Sequence, residues 1–117
     1  MNIIDLMKEL NYPTNDDGVC RGLALMAQRA CWSGQFEQFQ KRMNYLSTLQ
    51  PNQLHVLLDM AKQHDKDLRD NKTTIPLSQN EQILLTVDAF FFQIWAHFNP
   101  RETQKSLGSV IFRIVVA

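Results

Sequence analysis

The chain has no excess of either charge: twelve lysines and arginines balance twelve aspartates and glutamates. It also lacks a basic block interleaved with aromatics, so a nucleic-acid or anionic-membrane surface has no electrostatic support. No uninterrupted apolar run approaches the roughly 20 residues that a bilayer-spanning helix needs, and no charged N-terminal region leads into an apolar segment. A soluble chain without membrane insertion is expected. Glycine and proline are scarce, at four each, and no repeat or low-complexity segment is visible, so long disordered stretches are not expected. Cysteine is limited to Cys20 and Cys31. On one helix these would stand about 16 Å apart at 1.5 Å per residue, too far to bridge, which predicts free thiols in a reducing compartment. Short Cys/His ligand pairs are missing too, so no metal or other cofactor is expected.

What is present is helical periodicity. At 117 residues the chain has the size of one domain, residues 1–117, with a single modest core. Asn2 is placed to cap a short helix carrying Ile3, Leu6, Met7 and Leu10, which Pro13 and the polar run to Gly18 stop. A second helix, from about Gly18 to Ser33, bears Cys20, Leu23, Ala24, Ala27, Ala30 and Cys31 on one stripe and Leu25 with Trp32 on another side. That pattern predicts a central helix with an inward-facing Cys20, closed by Gly34. From Gln35 to Leu49, Phe36, Phe39, Met43, Leu46 and Leu49 face inward, while Arg42 and its polar neighbours face out. Pro51 opens a fourth helix with Leu54, Leu57, Leu58 and Ala61, ending in the charged run Lys62 to Lys72, which reads as a solvated face and loop.

Ser78 and Glu81 have the spacing of a capping box and open a fifth helix expected to run to about Phe98. Ile83, Val87, Phe90, Phe91, Ile94 and Phe98 form its broad inward face. Leu84 and Trp95 stand beside it, Leu85, Phe92 and Ala96 put apolar mass on the other side, and Asp88 stands at its edge, where a carboxylate could meet a partner's cation, so Asp88, Phe92 and Trp95 are candidate partner contacts. Asn99 and Pro100 then start a short helix that Gly108 ends. The β-branched tail Val110-Ile111-Phe112-Arg113-Ile114-Val115-Val116 favours a strand. No second strand is visible to pair with it, so Val110 and Phe112 are candidate contacts with another copy or a partner. The expected fold is mainly α, a compact bundle of five to six helices with a C-terminal strand.

One stretch suggests chemistry. Gly18-Val19-Cys20-Arg21-Gly22-Leu23-Ala24-Leu25-Met26 follows an acidic turn, which places Cys20 in the first turn of a helix, where free N–H groups favour a thiolate. With Trp32 near the helix end, this Gly-x-Cys-x-Gly-Leu-Ala frame resembles the nucleophile helix of papain-like cysteine peptidase domains of bacterial type IV secretion effectors. The amphipathic helix with Phe36, Phe39 and Met43, and the segment Ile94-Trp95-Ala96-His97-Phe98-Asn99-Pro100, are similar to the helical N-terminal half of those domains. The resemblance implies Cys20 as the nucleophile. It also implies that the histidine and its acidic or amide partner come from a later, sheet-rich half, which has no counterpart here. Thr14 and Asn15 stand where such sites carry an oxyanion glutamine.

Two functions follow. The preferred one is a non-catalytic protein-interaction protein, an effector or regulator that binds and modulates another effector enzyme or a host protein, cytoplasmic or secreted into the host cytosol, with homo-oligomerisation through the tail as a further expectation. The alternative is a cysteine-dependent hydrolase or acyl transferase with Cys20 as nucleophile and His55, His64 or His97 as base.

Overall fold

In the computed structural model, which describes residues 2–98, helices α1 (Asn2–Glu9), α2 (Asp16–Trp32) and α3 (Phe36–Ser47) are followed by a 3₁₀ turn (Pro51–Gln53), then α4 (Leu54–Arg69), α5 (Gln79–Leu85) and α6 (Val87–Phe98). No strand occurs among the described residues, and the mainly α bundle expected from the sequence is the one that forms. The short helix after Asn99 and the strand over 110–116 fall outside the described residues.

Each helix ends where the backbone finds a substitute partner. The Asn15 side chain accepts the Gly18 amide and starts α2. Ser78 and Glu81 exchange side-chain and backbone hydrogen bonds in a full capping box at α5. Three helices stop alike, on a left-handed residue: Asn11 (φ 65°), Gly34 (φ 74°) and Asn71 (φ 59°). In each case the following amide, of Tyr12, Gln35 or Lys72, reaches back to a carbonyl five residues earlier, which satisfies acceptors the helix leaves open. Asn2 departs from expectation. It is the first residue of α1, and its side-chain amide donates to the Leu46 and Leu49 carbonyls (2.9 and 2.8 Å), tying the start of α1 to the end of α3.

The most extensive packing joins α2 to α6; α4 lies on α5, and α1 bridges α3 and the 3₁₀ turn. Leu6, Met7, Leu46, Leu54, Val87, Phe90, Phe91 and Ile94 fill the centre. α2 is not the central strut expected: it packs on α6 and less on α3, is buried on one side only, and that side is not the predicted one. The buried residues are Gly18, Val19, Gly22 and Leu23, whereas Cys20, Ala24 and Cys31 face solvent. The reason is steric. A Cβ on Gly22 would stand 2.8 Å from the Ile94 carbonyl oxygen and 3.3 Å from its Cα, so the seam turns to the side of α2 that lets the α6 backbone come closest.

The expected single helix from Ser78 to Phe98 is two. At Thr86 (φ −105°, ψ 3°) the hydroxyl bonds back to the Gln82 carbonyl at 3.0 Å, with the Ile83 carbonyl at 3.2 Å. The Thr86 carbonyl in turn accepts the Phe90 amide and begins α6. Back-bonding of this kind competes with the regular ladder and bends the chain.

Candidate functional site

Cys20 is the fifth residue of α2, past the amides of the helix start that lack an intrahelical partner, and is exposed. It has the access a nucleophile needs, but no hydrogen bond joins it to a histidine among the described residues. His55 points its Nε2 at the Glu9 carbonyl (3.2 Å) and carboxylate (3.7 Å). His64 has both ring nitrogens engaged, Nδ1 with Glu81 (2.6 Å) and Nε2 with the Ile75 carbonyl (2.8 Å). His97, half-buried near the end of α6, has its pKa lowered by burial and then by the charge of Arg29. None of the three is hydrogen-bonded to Cys20, and no Cys, His, Asp and Glu group among the described residues could hold a metal ion.

The other candidate contacts scatter. Asp88 is exposed, and its carboxylate accepts the Tyr12 hydroxyl at 2.7 Å. Phe92 is buried; Trp95 is half-buried, its ring 5.6 Å from that of Phe92, and its indole N–H is buried without an acceptor among the described residues. Val110 and Phe112 lie outside the described residues. No helix among the described residues is long and apolar enough to cross a membrane.

A different place brings side chains together. Between the end of α2, the start of α3 and the middle of α6 lies a cleft of about 350 Å³, lined among the described residues by Met26, Arg29, Ala30, Ser33, Gln35, Gln38, Phe39, Arg42, Phe90 and Gln93. Phe39 and Phe90 meet edge to face at 6.3 Å, continuing a run of rings from Phe36 through Phe90 and Phe91 to Tyr12. The Arg42 guanidinium lies over the Phe90 ring, 4.7 Å from its centre, and donates to the Thr86 hydroxyl at 3.0 Å. Burial lowers its pKa, and no carboxylate pairs with it among the described residues.

The chain matches no family model, no curated protein and no solved structure. Its function must be read from its side chains.

Sequence periodicity places Arg42 on the polar face of α3. Yet Arg42 is three residues after Phe39 and four before Leu46, which sets it on the inward stripe, where its guanidinium lies over Phe90 at the cleft. That spacing was the available signal. On α2, Leu25, Arg29 and Trp32 share one face at i, i+4 and i+7, with Leu25 37% and Trp32 77% exposed. On α3, Phe36, 38% exposed, stacks at 6.1 Å on Phe39, which lines the cleft. The cleft thus has two arginines in its lining, and Leu25, Trp32 and Phe36 are exposed on the helices that carry them.

Proposed function

We propose that the protein is a non-catalytic binding protein that engages another protein through the corner where α2 meets α3. The observation that carries this reading is the exposure of Leu25 and Trp32 on the same face of α2 as Arg29, and of Phe36 at the start of α3. Tryptophan and arginine dominate the energetics of protein interfaces, and an indole left in water gains more from a partner than from solvent. The engagement of His55 and His64 elsewhere supports binding over catalysis. In this reading Cys20 is a surface thiol, and the likeness of its helix to effector-peptidase nucleophile helices is proposed as descent without activity. The partner, an effector enzyme or a host protein, is modulated by having its surface occupied.

The test is a photo-crosslinking amino acid placed at position 32 or 36 in the producing cell or the cell it enters. A single protein crosslinked from both positions, and released from the wild-type chain by Trp32→Ala but not by Cys20→Ser, is expected. Absence of any crosslinked protein from either position, or thiol-dependent turnover of a peptide or ester substrate, would overturn the reading.

A further inference from the structure

Among the described residues Arg42 is the one half-buried lysine or arginine: Phe90 takes one face of its guanidinium and Thr86 takes one N–H. A guanidinium carries five donors in a planar fork, and removing it from water without an opposite charge is unfavourable. Neither Arg42 nor Arg29, on the facing wall, makes an ion pair among the described residues. The cleft they share has no acidic side chain among its described lining, in a chain whose total charges cancel. The described lining therefore carries two guanidinium charges, of Arg29 and Arg42, and no opposite one.

The geometry points to the cleft as a receptor for an aspartate or glutamate side chain on an extended acidic segment of the partner protein, its carboxylate held between Arg42 and Arg29. This rests on the protein-binding reading and adds the chemistry of what is bound. A carboxylate matches the guanidinium fork. The aromatic floor of Phe90 and Phe39 favours it over a phosphate, because a dianion loses more hydration in entering an apolar recess. Gln35, Gln38 and Gln93 each carry a donor and an acceptor, the pairing that the backbone amides on either side of such a side chain present. A cleft of about 350 Å³ holds one side chain and its flanking peptide groups.

The experiment uses the full chain labelled with nitrogen-15 and a capped pentapeptide of glutamate flanked on each side by leucine and glycine. It is compared with three probes: the glutamine twin, the phosphoserine twin and free glutarate. The glutamate peptide is expected to shift the amide signals of Arg29, Ser33 and Gln93 and the Arg42 side-chain signal saturably, and the glutamine twin to bind about tenfold more weakly. Arg42→Gln should weaken the glutamate peptide by a similar factor. Because Arg42 also packs, Arg29→Gln serves as a second variant at an exposed position, and the same loss is expected there with an unchanged spectrum elsewhere. Equal binding of the glutamine twin, shifts away from the cleft, or no shift with any probe would overturn the inference. Tighter binding of the phosphoserine twin would make this a phosphopeptide site, and equal binding of glutarate would make it a small-acid site; either overturns it. A crosslinked partner from position 32 alongside peptide failure would leave the protein-binding reading standing and remove only the acidic occupant.

Discussion

Nδ1 of His64 lies 2.6 Å from a carboxylate oxygen of Glu81, while its Nε2 lies 2.8 Å from the Ile75 carbonyl oxygen. Both neighbours accept and neither donates, so both ring nitrogens carry protons and the ring is cationic in this arrangement. The contact clips α4 to the loop before α5 and to the capping box that starts α5.

The clip makes stability depend on pH from both sides. The Glu81 hydrogen bond, followed by the Ile75 carbonyl and the nearby Asp67 charge, holds the His64 pKa above its ordinary value of 6.5. Its stabilisation is complete below about pH 6.5 and is lost as the pH rises through the raised value. The Ser78 amide, then His64, hold the Glu81 carboxyl below its ordinary 4.5, so that contribution is present above about pH 4.5 and lost as the pH falls. The melting temperature of His64→Gln should therefore fall below wild type most at about pH 5 to 6 and converge toward it by about pH 9. A difference that stays constant across that range would refute the clip.

Gly22→Ala should destabilise the fold even though alanine is the better helix former. The propensity gain is about 0.5–1 kcal/mol, against about 1–3 kcal/mol for forcing a methyl into a filled seam whose nearest atom, the Ile94 carbonyl oxygen, belongs to a backbone. Chemical denaturation will show a lowered midpoint. Gly34→Ala tests the opposite case, with nothing within 4 Å of its Cβ but a φ of 74°, and its cost of about 1–2 kcal/mol comes from the backbone alone.

Tyr12→Phe removes a hydroxyl that donates to the Asp88 carboxylate at 2.7 Å while leaving the ring, which meets Phe91 edge to face at 6.4 Å. A loss of about 0.5–1.5 kcal/mol in unfolding free energy is expected. Asp88→Asn, which keeps an acceptor oxygen, should lose less in the same measurement.

Cys20→Ser and Cys31→Ser should each change unfolding free energy by no more than about 0.5 kcal/mol, since both thiols are exposed. Mass spectrometry of the native protein after alkylation should find both modified. A protected Cys20 would contradict its place on the outer face of α2.

Much of this fold is legible in the sequence, for reasons that differ by element. Ser78 with Glu81, and Gly34 after Trp32, act through local geometry, so three or four residues contain the whole argument. The face of α2 is not local. Hydrophobic periodicity gives weight to Cys20, Ala24 and Cys31 and none to glycine, while the packing is decided by how near α6 can come, which rewards Gly22 for having no side chain. The bend at Thr86 is invisible to apolar patterning because Ile83, Val87 and Phe90 keep their spacing through it. The cleft was hidden for a related reason: Arg42 counts as polar by type, yet its guanidinium lies on the face of Phe90. His64 was concealed by the charged run around it, where one residue of a solvated helix face is tied to Glu81 and the rest are not.

The partnership of α2 with α6 also orders events during synthesis. A ribosome that has made everything through Leu85 has produced five of the six described helices, yet Val87, Phe90, Phe91 and Ile94, which occupy the middle of the bundle, have still to be added. Until they emerge, the groove beside Gly22 is open and α2 lacks the helix it packs on most, so the described bundle closes only once α6 is made.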